Sequence, residues 1–382
     1  MPVYHQMGHD STNLLRVPEL NEFKGVILSP LNLPESKMMN VVEENAEHEL
    51  ELIFDPQLYY PRTQREKLRN WSYFPQDVDT ADYSSMAWWT SICSNLATTV
   101  ERLHVNSVCS PVIIPRTYSH EYIDFMSNVT RVLDEHISNL GIKVIQTLVV
   151  NMSDLADYSN AMSTASIITK KSPRQVYLVL QSNSYPRREL NEPEELKGAM
   201  ALINILEENG NQVIVSHSSS DVVLWKEAGA YGVATGKYFN LRRFTPSRWD
   251  DREEGGGGQE AYWFEESLLA FLRASDVTRV ERANLISKAS TDNPFASEIS
   301  ACLQNGNPWL SLSWKYYLSW FQDIEERLSK KSTESITILE QADRNWSVIE
   351  DPSKRIFLEE RQNDGSWIRQ WLRAISEYKT PW

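Results

Sequence analysis

The chain has 382 residues, of which 41% are apolar and 24% charged, so it can bury the core of a barrel of about 250 residues and carry an appended domain. Its net charge of −14 argues against a long polyanion coating the general surface, although a local basic segment could contact nucleic acid. The first residues lack the features of a signal peptide, and no run approaches the roughly 18 apolar residues of a membrane span. We therefore expect a cytoplasmic protein that does not enter a membrane.

Cysteine and glycine patterns exclude several common cofactor sites. Cys93, Cys109 and Cys302 are far apart and odd in number, so they suggest neither a disulfide framework nor a zinc knuckle. No GxGxxG follows the first predicted strand, and the histidines lack metal-ligand spacing. We expect no redox cofactor and no histidine-rich metal centre, while magnesium at a strand-end carboxylate stays open.

Apolar, β-rich runs alternate with amphipathic helical runs in the order expected of parallel βαβ units. A glycine C-cap is predicted at Gly141, and Ser153 is predicted to cap the helix that it begins. Strands are predicted over residues 25–29, 50–54, 108–114, 143–150, 175–180, 212–215 and 231–234, with helices over 35–48, 82–103, 121–139, 193–208 and 221–228.

These elements favour a (β/α)8 TIM-like barrel over residues 1–275, with a helical, Trp-rich C-terminal extension over residues 276–382. The eighth strand is predicted at residues 261–264. A doubly wound open α/β sheet would also accommodate the other seven strands, so it is the alternative fold.

Seven of the thirteen tryptophans lie in the C-terminal extension, between Trp309 and Trp382. One interpretation is that Trp309, Trp314, Trp320, Trp367 and Trp371 pack against the barrel, because large aromatic side chains dominate domain interfaces. The other is that part of this surface binds a protein partner.

The strongest candidate for anion binding is TGKYFNLRR, which follows the last strong strand. Gly236 would let backbone amides approach a ligand, and Lys237, Arg242 and Arg243 supply positive charge, with Asn240 between them. The alternative is that these cations pair with carboxylates at Asp250, Asp251, Glu253 or Glu265.

Two residues at other strand ends are candidates for catalysis. His217 ends a buried strand between Ser216 and Ser218, where an imidazole can act as a general base. Asp55 ends another strand before Pro56, where a carboxylate can be a base, nucleophile or magnesium ligand. Each also has a structural interpretation, as a satisfied core histidine and as a turn cap.

Polar residues at the remaining strand ends would complete a hydrogen-bonding mouth for a polar ligand. The glycine run at residues 255–258 follows acidic sequence and is interpreted as a mobile lid or hinge. The further candidate ligand-binding residues are Gln57, Arg116, Asn151, Gln181 and Asn183.

The segment GAYGVATGK resembles the late-strand glycine region of phosphate-binding TIM barrels, and also the corresponding part of queuine-type tRNA-ribosyltransferase barrels. That resemblance covers about ten residues and implies a phosphate-bearing ligand at the barrel mouth. The zinc-ligand cysteines expected near the end of those transferases are missing, so no catalytic role is carried over.

Two functions follow. The first is a hydrolase or group-transfer enzyme that acts on a phosphate-bearing or nucleotide-like substrate at the C-terminal mouth of the barrel. The second is a catalytically silent barrel that serves as a subunit or scaffold of a multiprotein assembly through its Trp-rich helical tail.

Overall fold

A computed structural model describes residues 2–9, 11, 14–46, 49–171, 173–250, 259–330, 334–360 and 364–380. Within these ranges, eight parallel strands pair in chain order and close into a barrel, which confirms the TIM-like fold and excludes the open sheet. The barrel strands are β1 (Val3–Gln6), β2 (Gly25–Leu28), β3 (Glu51–Phe54), β4 (Ser107–Cys109), β5 (Lys143–Asn151), β6 (Gln175–Gln181), β7 (Gln212–Val215) and β8 (Gly232–Thr235).

The N-terminal strand β1 closes the barrel, which the sequence analysis did not predict. Tyr4 pairs with Gly25 of β2 on one side and with Ala234 of β8 on the other. The prediction of an eighth strand at residues 261–264 is wrong, because β9 (Trp263–Glu265) and β10 (Ala270–Leu272) form a separate antiparallel hairpin. The segment VYHQ is short and half polar, so it lacks the apolar run that marks a buried parallel strand.

Helices cover the outside of the barrel. Ser85 and Ser119 cap the helices that follow them by accepting from the backbone N–H groups of Trp88 and Tyr122. The predicted cap at Ser153 is wrong, because the helix breaks in two and Asp157 caps the second part. These helices are α1 (Glu35–Ala46), α2 (Glu66–Arg69), α3 (Met86–Leu103), α4 (His120–Ile137), α5 (Met152–Leu155), α6 (Tyr158–Ile168), α7 (Pro193–Glu208) and α8 (Val222–Glu227).

The C-terminal extension is helical and packs on the barrel. The Lys226 ammonium on α8 lies 2.9 Å from the Glu325 carboxylate on α12, and both side chains are buried. None of the helices in the described ranges has the length and apolar character needed to cross a bilayer. The extension comprises α9 (Ala274–Arg282), α10 (Lys288–Asp292), α11 (Ala296–Asn305), α12 (Leu310–Lys330), α13 (Glu334–Glu350) and α14 (Ser366–Glu377).

Most tryptophans of the extension that the structure describes belong to the core, while Trp314 is half-buried. Trp309, Trp320, Trp367 and Trp371 are each 8% exposed or less, and Trp371 Nε1 donates to the carbonyl of Leu190 before α7. Barrel-wall and extension side chains share one continuous apolar cluster. The packing interpretation therefore accounts for these tryptophans, while the domain boundary after residue 275 and a partner on the extension stay predictions.

Replacing Trp320 with alanine should lower the free energy of unfolding by about 3–5 kcal/mol, because its ring lies against Phe264 and its Nε1 donates to Glu266. Chemical denaturation measures this loss. Phe357→Ala is the control: Phe357 is 74% exposed, and its loss should change stability by less than about 0.5 kcal/mol. Equal effects of the two substitutions would contradict the packing interpretation.

Candidate functional site

The C-terminal ends of the strands form one mouth of the barrel, where TIM barrels carry their chemistry. Two predicted catalytic residues, Asp55 after β3 and His217 after β7, both lie here and are 2% and 4% exposed. Arg248, from the loop after β8, joins them and is 7% exposed. We call Asp55, His217 and Arg248 the mouth centre.

Asp55 is a buried carboxylate held by two hydrogen bonds. It accepts from the backbone N–H of Gln57 at 3.0 Å and from the Tyr59 hydroxyl at 3.1 Å. Burial raises the pKa of Asp55 to about 6, although both hydrogen bonds and the charge of Arg248 act to lower it. The group can therefore take up or release a proton close to neutral pH.

His217 has a neutral ring in a defined tautomer. Its Nε2 lies 3.0 Å from Nη1 of Arg248, and its Nδ1 lies 3.0 Å from Oγ of Ser216. A guanidinium only donates, so Nε2 must accept and the ring proton lies on Nδ1. Burial, followed by the charge of Arg248, holds the pKa of His217 well below its ordinary value. His217 thus positions Arg248 as a hydrogen-bond acceptor.

Arg248 is a candidate functional residue that the sequence analysis missed. It lies in the short helix Pro246–Trp249, with its guanidinium 5.3 Å from the centre of the Trp249 ring. Burial lowers the pKa of Arg248 to about 10, while Asp55, Tyr177 and Tyr59 act to raise it, so the group keeps its charge at neutral pH. The only sequence signal was an arginine beside a tryptophan in the loop after a late barrel strand.

Aromatic side chains cover the mouth centre. The rings of Tyr59, Phe244 and Trp249 lie 5.2–5.4 Å apart, and Phe244 also packs edge-on against His217 at 5.5 Å. Trp249 Nε1 donates to the Gln57 carbonyl at 3.2 Å. We call residues 244–249 the cap segment, because these contacts close the mouth over Asp55. The predicted lid at residues 255–258 lies outside the described residues.

Two buried amides supply further donors at this end of the barrel. The Oε1 of Gln57 accepts from Ser29 Oγ at 2.9 Å, and the Oε1 of Gln6 accepts from the Tyr177 hydroxyl at 3.0 Å. The Nε2 of each side chain has no hydrogen-bond partner within the described part of the chain. Buried N–H donors normally have a hydrogen-bond partner, so the two Nε2 groups indicate that a polar ligand or a water molecule binds here.

Lys237 faces the C-terminal extension. Its ammonium lies 4.2 Å from the centre of the Trp314 ring on α12 and 4.7 Å from that of Tyr238. His5 lies near it: burial, and then the charge of Lys237, lowers the pKa of His5 to about 3. Lys237 therefore contributes to the junction of barrel and extension.

Arg242 lies at the same junction. It donates to the carbonyls of Gly236 at 2.8 Å and Lys237 at 2.9 Å, and its guanidinium stacks 3.5 Å from the centre of the Tyr317 ring. A Cβ on Gly236 would lie 2.7 Å from the Gln6 carbonyl, so the glycine permits close packing of β1 against the loop after β8. Arg242 and Gly236 therefore both stabilise the packing at this junction.

Arg243 pairs with carboxylates, which was the alternative interpretation. Its Nη2 lies 3.5 Å from Glu189 and 3.4 Å from Asp221, and these partners differ from the ones that the sequence suggested. Burial raises the pKa of Glu189 to about 7, which Arg243 opposes. We call Lys237, Arg242 and Arg243 the anchor cations, since their described contacts lie with the extension and with buried carboxylates of neighbouring barrel loops.

The other predicted ligand-binding residues are spread around the mouth. Gln181 is half-buried and accepts from the Tyr118 hydroxyl at 2.6 Å. Ser218 is buried and donates its N–H to the Ala234 carbonyl at 2.7 Å. Asn151 is half-buried, and the exposed members are Arg116, Asn183 and Asn240.

Two cavities lie at opposite ends of the barrel. One of about 260 Å³ opens at the C-terminal face beside the exits of β1, β2 and β3. A larger groove of about 1140 Å³ lies at the N-terminal face, where conserved architecture usually serves stability rather than chemistry. No group of three or more His, Cys, Asp or Glu side chains within the described ranges is placed to hold a metal ion.

No family model and no curated protein matches the chain, so the resemblance to tRNA-ribosyltransferase barrels stays a prediction. Among solved structures, thiamine phosphate pyrophosphorylase from Pyrococcus furiosus is 10% identical over 62% of this chain and 85% of its own, with a TM-score of 0.33. The IolI protein with a zinc atom is 14% identical over 65% and 91%, with a TM-score of 0.37. An L-ribulose 3-epimerase is 11% identical over 67% and 89%, with a TM-score of 0.36. The function must be argued from the site itself.

Replacing Asp55 with asparagine should change how stability depends on pH. Because the folded pKa of about 6 lies above the ordinary 3.8, the wild type binds more protons when folded and loses up to about 3 kcal/mol of stability as pH rises between these values. Asp55→Asn lacks this titration, so its free energy of unfolding should rise relative to that of the wild type as pH increases. Chemical denaturation across this range measures the difference.

The exposed Asp157→Asn variant is the control. The pKa of Asp157 is lowered in the folded protein, so this carboxyl does not make the wild type less stable as pH rises. A constant difference between wild type and Asp55→Asn at every pH would show that Asp55 is an ordinary carboxylate.

Proposed function

We propose that the protein is a hydrolase or group-transfer enzyme whose reaction takes place at the C-terminal mouth of the barrel. The observation that carries this proposal is the mouth centre, in which a carboxylate with a pKa of about 6 is buried with a charged guanidinium and a neutral imidazole. Groups with strongly shifted pKa values concentrate at catalytic sites. Residues from separate parts of the chain, after β3, β7 and β8, supply the three side chains.

The proposed roles follow from the hydrogen bonds. Asp55 takes a proton from water or a substrate hydroxyl and returns one to the leaving group, while the Tyr59 hydroxyl orients it. Arg248 stabilises negative charge that develops on substrate oxygens, and His217 holds it in place through Nε2. Gln57 and Gln6 offer their Nε2 donors to polar groups of the ligand.

The substrate class is a small molecule with an anionic group, for which a phosphate-bearing or nucleotide-like compound is the best candidate. Arg248 supplies the positive charge that the sequence analysis assigned to the anchor cations. The Trp249 ring lies 5.7 Å from Tyr60 and 5.2 Å from Tyr59, and such a cluster suits contact with a flat base. Because Asp55 is 2% exposed, the substrate enters only when the cap segment moves aside.

The alternative function is a catalytically silent barrel that serves as a subunit or scaffold of a larger assembly. The burial of Asp55, His217 and Arg248 under the cap segment favours it, since a closed mouth can serve packing alone. In that case a protein partner would bind the helical extension through side chains other than its buried tryptophans. Phe357, which is 74% exposed, is a candidate contact.

Turnover of a panel of phosphate esters and nucleotides, followed by mass spectrometry, tests the enzyme proposal. Asp55→Asn should reduce the rate by about 10²–10⁴-fold, as expected for loss of a general acid–base group. The wild-type rate should change with an apparent pKa near 6, the value for Asp55.

Glu189→Gln is the matched control, because Glu189 is another buried carboxyl with a raised pKa but pairs with Arg243 outside the mouth centre. This variant should keep its activity. Full activity in Asp55→Asn would refute the assignment of Asp55, and no turnover of any compound by the wild type would favour the silent barrel.

A further inference from the structure

The cavity of about 260 Å³ at the C-terminal face is rich in positive charge. It lies beside the loops that leave β1, β2 and β3, so it adjoins the loop that carries Asp55. Its volume is below the 300–1,000 Å³ typical of pockets for whole ligands, and it suits one polar group of a larger molecule. The lining residues are His9, Leu31, Asn32, Gln64, Arg65, Glu66 and Lys67.

One lining cation is held by a backbone carbonyl, and the backbone of another is tied to the cap segment. Lys67 Nζ donates to the Asn32 carbonyl at 3.1 Å, which keeps its ammonium at the cavity wall. The backbone N–H of Arg65 donates to Thr63 Oγ1 at 3.2 Å, and the Thr63 hydroxyl donates in turn to the Trp249 carbonyl. The chain at Arg65 is therefore linked to the cap segment.

A buried donor lies behind the cavity wall. Gln57 is fully buried, and its Oε1 accepts from the backbone N–H of Leu31 at 3.3 Å, so the amide sits against a lining residue. Its Nε2 is one of the donors for which the described residues offer no partner. The same residue donates its backbone N–H to Asp55, which connects the cavity to the mouth centre.

The positive charge of the cavity wall is felt at the mouth centre. The charge of Arg65 acts against that of Arg248, although burial is the larger cause of the lowered pKa of Arg248. An anion bound at Arg65 would offset this repulsion. Lys67 adds a second cation to the wall, and among the described lining residues Glu66 is the acidic one.

We propose that this cavity is the binding subsite for a phosphate group of the substrate, with Arg65 and Lys67 as its main cations. This inference rests on the proposed function and moves the anion site from the exit of β8 to the exits of β1–β3. The phosphate would lie next to the loop that carries Asp55, and the rest of the substrate would extend toward the mouth centre.

Titration of the full-length protein with inorganic phosphate at constant ionic strength, followed by calorimetry, tests the subsite. The double variant Arg65→Gln, Lys67→Gln should weaken phosphate binding by about tenfold or more, since the loss of even one charged hydrogen bond changes affinity by at least about that factor. Lys37→Gln is the control: this exposed lysine on α1 does not line the cavity, and its loss should leave binding unchanged.

Three results would overturn the subsite: phosphate binding that is unchanged in the double variant, no phosphate binding by the wild type, or acetate binding as tightly as phosphate. If Lys237→Gln weakens binding and the double variant does not, the anion lies at the exit of β8. None of these outcomes decides the enzyme proposal, which fails separately if Asp55→Asn retains full turnover.

Discussion

The hydrogen bond between Arg248 and His217 is the interaction on which the mouth of this barrel depends. It joins the loop after β8 to the end of β7 and requires His217 to be neutral, because the guanidinium can only donate. It also holds a positive charge near Asp55, where that charge adds to two hydrogen bonds that oppose the effect of burial on the pKa of the carboxyl. Without it, the cap segment would lose its charged contact with the barrel interior.

The positive charge near this end of the barrel is divided between two tasks. Arg242 stacks on Tyr317 and Arg243 pairs with buried carboxylates, so both contribute to the attachment of surrounding elements. In the proposed function, Arg248 and the cations that line the cavity bind the ligand. If one group of cations bound the ligand, as the sequence suggested, the same side chains would have to stabilise the fold and bind the ligand.

Much of the fold could be predicted from sequence, because seven barrel strands are apolar runs closed by polar residues. The strand β1 could not, since VYHQ has too little apolar character to stand out. The direction of Lys237 could not be predicted either. Residues two apart face the same side of a strand, and Thr235, two residues before Lys237, contacts Tyr317 of the extension. The sequence did not show that the extension covers this side. The sequence selected Asp55 and His217 as candidates by their place at strand ends, but Arg248 lies in a helix of 4 residues after β8, which is too short to show a periodicity.

We propose that Asp55, His217 and Arg248 form one electrostatically coupled centre. An NMR titration of the Asp55 side-chain carboxyl carbon, in the wild type and in Arg248→Gln, measures this coupling. We expect a wild-type pKa near 6 and a higher pKa in the variant, because the charge of Arg248 opposes the effect of burial. A wild-type pKa at or below the ordinary 3.8, or the same pKa in both proteins, would contradict it.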